Sequence, residues 1–246
     1  MTEKIRIIKK KANLIQFSVE GATPAFVNAL RRIMISEVPA MAIEWVDISR
    51  NSSALFDEVL AHRLGLIPLE FDPEKFNFTE ECKCKGKGCP SCEASFALEK
   101  EGPCMVYSGD MKPSNRSVNP TDPRFQIVQL LKGQSLKLEA TARLGIGRTH
   151  IKWQAAIAAY AYQPDAPEEK DGVMVCAKHV PSAAGRKTVV EPDKCEVCKI
   201  QSNPTRFLFR VESVSGLEPE YIVSKAAQIL AQKAEDFKKE IGKELS

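Results

Sequence analysis

The sequence predicts an α+β fold in which helices near both ends of the chain enclose a middle part made mainly of strands. Residues 15–19 alternate apolar and polar side chains, which is the period of a half-buried strand. The segment "LKLEATARL" at 136–144 repeats this alternation and places its apolar side chains on one face. Apolar residues at helical spacing occur near both ends of the chain and indicate amphipathic helices.

The first helix is predicted over residues 24–38, after two strands joined by a turn at "KKKAN". Thr23 is a suitable N-cap, Pro24 fits the first helical position and Pro39 ends the helix. Paired arginines beside an apolar stripe are suited to two-point hydrogen bonds with carboxylates, and a solvated helix flank is the alternative. The stripe and its two arginines are Phe26, Leu30, Ile33 and Met34, with Arg31 and Arg32.

Two more helices are predicted, one within "NSSALFDEVLAHRLGLIPL" and one from near Pro219 towards the C-terminus. Ser52 or Ser53 would cap the former, whose stripe contains Phe56, Val59, Leu60 and Leu64. The last helix would measure about 37 Å, which is longer than a compact small domain is wide. Part of its stripe is therefore expected to be covered by another domain or subunit. That stripe contains Ile222, Ala226, Ile229, Leu230, Ala234, Phe237 and Ile241.

The composition is that of an ordinary soluble globular protein. Of 246 residues, 43% are hydrophobic and 27% charged, which suits one or two domains. The formal net charge of +3 is too small to indicate nucleic-acid binding without a concentrated basic patch. No apolar run approaches the ~20 residues of a membrane span and no secretory signal is recognisable, so a cytoplasmic protein without membrane contact is expected.

Four cysteines within "CKCKGKGCPSC" predict a metal site, and they are Cys82, Cys84, Cys89 and Cys92. In a reducing compartment, clustered thiols are more often metal ligands than disulfides. Four thiolates suit zinc first and an iron centre second, and free thiols are the remaining alternative. The lysines between them would offset the negative charge of the site, and the glycines let the backbone turn tightly. With all four ligand positions filled by protein, the site is expected to be structural.

A second cysteine group lies in a stretch rich in proline and glycine. Cys176, His179, Cys195 and Cys198 have the C-x2-H…C-x2-C spacing of a possible second metal site. The alternative is that the histidine is incidental and that the stretch binds no metal.

Candidates for catalysis are few. His62 has Asp57 and Glu58 about one helical turn away, which is half of a catalytic pair, but such neighbours are more often joined by a helix-surface hydrogen bond. His150 follows two glycines without the third glycine of a dinucleotide-binding motif. Cys104 lies in an apolar run and is predicted to be a packed thiol. No catalytic residue is expected in this chain.

The block "NALRRIMISEVPAMAIEWVDISRNSSALFDEVLAHRLGLIPL" at residues 28–69 carries a family resemblance. It resembles the D-type subunits of archaeal DNA-dependent RNA polymerase, whose family includes bacterial alpha and the third-largest subunit of eukaryotic RNA polymerase II. "VYSGD" at 106–110, "GIGRTHIKW" at 145–153 and "VESVSGLEPEYIV" at 211–223 add to the resemblance. It extends along the chain except for residues 163–204.

The resemblance implies a discontinuous fold. Residues 1–47 and 205–246 would form one alpha-like dimerisation domain, residues 48–162 an inserted β-rich domain, and residues 163–204 a small, degenerate ferredoxin-like insert. The resemblance also implies that the loop at 82–92, within the inserted domain, matches the zinc loop of the eukaryotic relative in place and ligand number.

The resemblance also implies a part in transcription as an assembly platform without catalytic residues of its own. The chain would pair with the smaller alpha-like subunit L, be joined by subunits N and P, and dock the two large catalytic subunits. DNA would be reached only through the assembled nucleotidyltransferase. The partner surface would include Phe26, Leu30, Arg31, Arg32, Ile33, Phe237 and Ile241.

The insert departs from part of the family, in which four cysteines hold an iron–sulfur cluster. Cys195 and Cys198 keep the first two positions, but Gln201 stands at the third and no cysteine follows before Pro204. A zinc site, a three-cysteine cluster and a cluster-free remnant all stay open. An iron–sulfur or zinc redox protein is accordingly the alternative function.

Overall fold

The computed structural model describes residues 4–164, 169–170, 173–174 and 202–244. Its helices are α1 (Pro24–Ser36), α2 (Asp57–Gly65) and α3 (Pro219–Glu244), with short 3-10 helices at Ser108–Asp110 and Ile151–Trp153. Its strands are β1 (Lys4–Lys11), β2 (Leu14–Glu20), β3 (Ala40–Asn51), β4 (Leu69–Glu70), β5 (Glu93–Glu101), β6 (Cys104–Tyr107), β7 (Lys112–Pro113), β8 (Asn119–Pro120), β9 (Gln126–Leu130), β10 (Ser135–Gly145), β11 (Ala156–Pro164), β12 (Glu169–Lys170), β13 (Val173–Met174) and β14 (Ser202–Ser213). None of these helices is both long and apolar enough to cross a bilayer.

Strands from both ends of the chain share one antiparallel sheet, in the order β1-β2-β14-β11. Phe17 of β2 stacks on Phe209 of β14, with ring centroids 4.9 Å apart. Helices α1 and α3 pack against each other and against this sheet. Because β14 lies between β2 and β11, the terminal segments form one body, as the predicted discontinuous fold requires.

The middle of the chain forms a second antiparallel sheet, in the order β3-β10-β5-β7. The predicted alternating segment is β10, and Leu136, Leu138 and Ala140 are at most 1% exposed. Strands β6 and β9 form a small pair nearby, as do β4 and β8. The β-rich character predicted for this part is confirmed, and with it the α+β fold class.

The predicted start of α1 is confirmed, and its end differs by two residues. Thr23 Oγ1 accepts a hydrogen bond from the backbone N–H of Phe26 at 3.3 Å, and Pro24 is the first helical residue. The last helical residue is Ser36 rather than residue 38, because the backbone N–H groups of Glu37 and Val38 both bond to the carbonyl of Ile33.

The predicted serine cap of the second helix is wrong. Helix α2 begins at Asp57, and its N-cap, Phe56, makes no side-chain cap hydrogen bond. The hydroxyl of Ser53 bonds to Asn51 Oδ1 at 2.7 Å, and that of Ser52 bonds to the carbonyl of Ser135. Leu60 and Leu64 are buried as predicted, whereas the side chains of Phe56 and Val59 point outward and are 76% and 42% exposed.

Strands β3 and β11 lie near the two ends of the predicted inserted domain, whose bounds stay a prediction. Strand β3 continues through the predicted boundary at 47/48. Residues 156–162 of β11 pair with β14 in the sheet of the terminal segments. The chain crosses between the sheets through the turn at 146–155, which follows β10.

Candidate metal centre and partner surfaces

The four-cysteine loop lies directly before β5. Its first turn is closed by a hydrogen bond from the backbone N–H of Lys85 to the carbonyl of Cys82, at 2.9 Å. Lys85, Gly86 and Gly88 have φ angles of 53°, 79° and 80°. Glycine adopts positive φ without a steric penalty, so two of the three unusual positions carry the residue that suits them.

The second cysteine pair forms a tight turn at the base of β5. The carbonyl of Cys89 accepts hydrogen bonds from the backbone N–H groups of Cys92 and Glu93, both at 2.9 Å. The backbone N–H of Cys89 lies 3.3 Å from Cys92 Sγ, where it can donate to the sulfur and favour the thiolate. This turn therefore fixes the positions of Cys89 and Cys92, which are two of the four ligands.

The four sulfur atoms converge, and all lie within 4.8 Å of one another. The Sγ–Sγ distances are 3.5 Å for Cys82–Cys89, 3.6 Å for Cys84–Cys92 and 3.7 Å for Cys89–Cys92. Sulfurs placed tetrahedrally about 2.3 Å from a zinc ion lie about 3.8 Å from one another. The predicted cluster can therefore hold a metal ion, and its dimensions are compatible with zinc.

The thiols of the cluster ionise unequally. Burial raises the pKa of Cys92 to about 12. Burial also opposes ionisation of Cys84, but hydrogen bonds from the thiols of Cys82, Cys92 and Cys89 lower the pKa of Cys84 to about 7. A bound cation is therefore needed before all four sulfurs can become thiolates at neutral pH.

The burial and the ligand set of the cluster suit a structural metal site. Cys82 and Cys92 are buried, Cys84 and Cys89 are half-buried, and the group consists of four thiols. Four protein ligands complete a tetrahedral zinc shell and leave no position for a substrate. The exposed lysines around the loop supply positive charge; they are Lys83, Lys85 and Lys87.

The second predicted metal group lies outside the described residues, and a metal or iron–sulfur cluster there stays a prediction. Its members are Cys176, His179, Cys195 and Cys198.

The predicted partner residues on α1 divide into covered and accessible ones. Leu30 and Ile33 are 6% and 5% exposed, because they pack into the core that α1 shares with the sheet and α3. Phe26 is half-buried against the same core. Leu30 and Ile33 therefore hold α1 in place, and only Phe26 offers a partner part of its apolar surface.

The two arginines of α1 have different surroundings. The Arg31 guanidinium donates two hydrogen bonds, from Nε and Nη2, to Asn28 Oδ1 at 3.2 and 3.0 Å. Arg32 is exposed. The acceptor of Arg31 is a neutral amide and Arg32 is exposed, so the charge of each arginine is available to a carboxylate.

Helix α3 leaves the body of the chain about halfway along its length. Ile222 and Ala226 are fully buried, and every residue from 231 to 244 is exposed. Phe237 and Ile241, on the predicted stripe, are 68% and 43% exposed. These fourteen residues span about 21 Å along the helix axis, and Lys233 in their first turn pairs with Glu37, just after α1, at 2.6 Å. We call residues 231–244 the α3 tail.

The chain is similar to known proteins over almost its whole length. The family model described as "RNA polymerase Rpb3/RpoA insert domain" matches residues 46–160. A protein of Archaeoglobus fulgidus, "DNA-directed RNA polymerase subunit Rpo3", is 39% identical over 97% of this chain and 98% of its own length. Proteins with the same name from Methanothermobacter thermautotrophicus and Thermococcus kodakarensis are 38% and 36% identical, over at least 94% of both chains in each case.

The chain belongs to the Rpo3 family of DNA-directed RNA polymerase subunits. Its middle part, with the four-cysteine loop, is the part matched by the Rpb3/RpoA insert domain model. The family resemblance carried by residues 28–69 is thereby confirmed.

Nothing in the described part of this Rpo3-family chain assembles the catalytic pair considered above. His62 is exposed, and Asp57 Oδ1 accepts a hydrogen bond from Asn51 Nδ2 at 2.7 Å. His150 Nδ1 accepts from the backbone N–H of Lys152 at 3.1 Å. Cys104 is half-buried, and its thiol donates to the carbonyl of Glu101. Asp57, His150 and Cys104 therefore each make a local hydrogen bond.

A polar clasp between β3, β10 and the following turn was not predicted from the sequence. The Glu44 carboxylate forms one ion pair with Lys152 and another with Arg143, the latter at 3.0 Å. The Lys152 ammonium also lies 4.5 Å from the ring centre of Trp153. Lys152 and Trp153 lie within "GIGRTHIKW", but their partner Glu44 is about a hundred residues away in the chain.

Proposed function

We propose that the chain is a non-catalytic platform subunit of DNA-directed RNA polymerase. It pairs with the smaller alpha-like subunit L, is joined by subunits N and P, and docks the large catalytic subunits. The observation that carries this proposal is the α3 tail, which exposes an apolar stripe beyond the body of the chain. Membership of the Rpo3 family supports it.

The α3 tail continues a helix whose first half packs on the body of the chain. Packing of an apolar face supplies most helical stability in proteins, and Phe237 and Ile241 of the tail are exposed. Phe237 and Ile241 lie one turn apart, and with Leu230 and Ala234 they follow the spacing of a helix–helix seam. A partner helix along this seam would cover the apolar side chains and stabilise the tail.

The four-cysteine loop has a supporting part in this proposal. We infer that it binds one zinc ion, which keeps the loop folded on the inserted part of the chain. The sulfur distances are compatible with zinc, and the complete set of four thiol ligands favours a structural over a catalytic site. The loop would then present a fixed surface to other subunits of the polymerase.

The decisive experiment changes Phe237 to Asp in the full chain and measures binding to the alpha-like partner. Burying a Phe side chain contributes about 3 kcal/mol, so affinity should fall about 100-fold or more. Lys239→Gln is the matched control, because it changes the net charge by the same one negative unit on the opposite side of the same exposed tail and removes only an exposed ion pair with Asp236. Full pairing by the Phe237 variant would refute the platform proposal as stated.

A further inference from the structure

The four-cysteine loop contains two sulfur–sulfur contacts that share no residue. Cys82 Sγ lies 3.5 Å from Cys89 Sγ, and Cys84 Sγ lies 3.6 Å from Cys92 Sγ. A disulfide bond is about 2.05 Å long, so the sulfurs of each pair would have to approach by about 1.5 Å. Because the two contacts use each thiol once, both disulfides can form in the same chain.

Each contact joins one accessible thiol to one buried thiol. Cys89 and Cys84 are half-buried, whereas their respective neighbours, Cys82 and Cys92, are buried. A sulfenic acid that forms on an accessible cysteine is converted to a disulfide when a second thiol lies beside it. A small oxidant can therefore reach the first sulfur of each pair from solvent, and the second sulfur is close enough to react with the product.

The segment between Cys82 and Cys89 has room to adjust. Gly86 and Gly88 lie within it and have φ angles of 79° and 80°. A Cβ added at Gly86 would meet nothing within 4 Å, so open space surrounds this position. Glycine changes its backbone conformation at little steric cost. The two sulfurs of this pair can therefore approach through movement of an open, glycine-containing turn.

Of the three ways to join four cysteines in two disulfides, one agrees with these contacts. A bond between Cys82 and Cys84 would close a small, strained ring, because only one residue separates them. A bond between Cys82 and Cys92 would join two buried thiols, neither of which solvent reaches. The remaining set joins Cys82 to Cys89 and Cys84 to Cys92.

We propose that the loop is a site of reversible oxidation by peroxide, with Cys84 and Cys89 as the residues attacked first. This inference rests on the zinc site of the proposed function and adds a second state of the same loop. The accessible thiolate of each pair attacks hydrogen peroxide, breaks the O–O bond and becomes a sulfenic acid, and hydroxide leaves. The buried thiolate, from Cys92 or Cys82, then attacks that sulfur and displaces a second hydroxide.

The complete change consumes two molecules of hydrogen peroxide for each loop of four cysteines. Four thiolates lose four electrons and form two disulfides. The two peroxides accept these electrons and, with four protons, become four molecules of water. The thiolate is the form of cysteine that binds metals, so oxidation releases the ion. A small thiol such as dithiothreitol reduces the disulfides and restores the ligands.

The test treats the zinc-loaded full chain with hydrogen peroxide and maps its disulfides by mass spectrometry. Cleavage after the lysines of the loop puts Cys82 and Cys84 on separate short peptides, while Cys89 and Cys92 stay together on a third. Both short peptides should become linked to the third, and a zinc-binding dye should report release of about one ion per chain. A disulfide within the third peptide, or sulfinic acids in place of disulfides, would overturn the inference.

Two double variants separate the assigned pairs from the alternative that also links all three peptides. Changing Cys84 and Cys92 to Ser keeps Cys82 with Cys89, and changing Cys84 and Cys89 to Ser keeps Cys82 with Cys92. Each variant has lost two ligands, so the two are matched in their loss of metal binding. The first should form its disulfide at least about 10-fold faster at the same peroxide concentration, because one of its thiols is accessible. Equal rates, or a faster second variant, would refute the assigned pairing.

The oxidation site and the proposed function fail separately. Cys104→Ser is the control for thiols outside the loop and should leave zinc release unchanged. If the chain binds zinc and pairs with its partner while peroxide leaves the loop thiols intact, only the oxidation site is wrong. If the chain binds no zinc, the zinc part of the proposed function is wrong, and the disulfide map of the metal-free chain still tests the pairing of the cysteines.

Discussion

Gly86 has a backbone conformation that only glycine adopts without strain. Its φ is +79°, and a Cβ added there would meet nothing within 4 Å. Any effect of Gly86→Ala therefore comes from the backbone and not from a clash. A left-handed conformation costs about 1–2 kcal/mol for an alanine.

Gly86→Ala should weaken zinc binding about 5- to 30-fold, because the loop folds around the ion and the backbone strain opposes that folding. Competition with a chelator measures the affinity. Gly242→Ala is the control, since that glycine also has open space around it but lies in α3, where alanine favours the helix. An unchanged affinity in the Gly86 variant would mean that the loop adopts another turn when it binds metal.

The ionised carboxylate of Glu44 contributes to the stability of the folded chain. Burial alone would raise the pKa of this carboxyl, but hydrogen bonds and charge from Lys152 and Arg143 lower it below its ordinary value. A carboxyl with a lowered pKa stabilises the folded state above its unfolded pKa, and this stability is lost as the pH falls through the folded pKa.

Glu44→Gln should therefore lower the free energy of unfolding by about 1–3 kcal/mol at pH 7, since two cations lose their anionic partner in a half-buried clasp. The difference from the unmodified chain should shrink as the solution becomes more acidic than the folded pKa of Glu44. Denaturant unfolding at several pH values measures both effects. Glu99→Gln, in an exposed ion pair with Lys137, is the control and should change stability by less than about 1 kcal/mol. A constant difference at every pH would mean that the glutamate acts through its shape and not its charge.

At the scale of elements, local signals predicted α1 well and the start of α2 poorly. Thr23 and Pro24 act within one turn, so the sequence pattern contains all the information needed to begin α1. Ser52 is instead bonded to Ser135, which lies 83 residues further along the chain. A pattern read over a short window cannot include that partner. Phe56 is exposed although its spacing fits the stripe, because it is the N-cap with an extended backbone and lies before the first helical residue.

The metal loop could be predicted almost completely, because its ligands are close in sequence and their chemistry is specific. The turns at Gly86 and Gly88 and the convergence of the four sulfurs follow from the same short segment. The Glu44 clasp could not be predicted, since it joins residues about a hundred positions apart with no distinctive spacing.

Changing Cys89 and Cys92 to Ser should remove about one zinc ion per chain and expose residues 80–95 to protease. Structural zinc contributes about 10–16 kcal/mol in small peptides, and this loop has few large apolar side chains to replace it. Pairing with the alpha-like partner should survive, because α1 and α3 draw their stability from a separate sheet. Docking of the remaining polymerase subunits should weaken.

Elemental analysis and a pull-down of the partner test this prediction. Cys104→Ser is the matched control, since it removes a thiol that is outside the cluster and should leave the zinc content unchanged. Retained zinc in the double variant would move the metal site elsewhere. Loss of pairing would mean that the zinc stabilises the whole chain and not one docking surface.

At the scale of the whole molecule, different surfaces are available for different partners. The α3 tail belongs to the body formed by the terminal segments, while the cysteine loop belongs to the inserted part. A platform needs this separation, because one partner must stay bound while the next one docks. The division into parts is a prediction of the sequence resemblance, whereas the packed structure is needed to tell which apolar side chains are exposed.

The arginines of α1 provide a test of that separation. Arg31 and Arg32 lie beside the apolar residues that anchor α1, but both guanidinium groups can still receive a carboxylate. Changing both to Ala should leave pairing with the alpha-like subunit intact and weaken recruitment of the large subunits at least about 30-fold, because a desolvated charge pair costs about 2–5 kcal/mol to break. Reconstitution from purified subunits, followed by sizing chromatography, measures both steps. Arg210→Ala, on the exposed face of the first sheet and paired with Glu212, is the control and should affect neither step. If recruitment is unchanged in the double variant, Arg31 and Arg32 are a solvated helix flank, and the large subunits dock elsewhere on the platform.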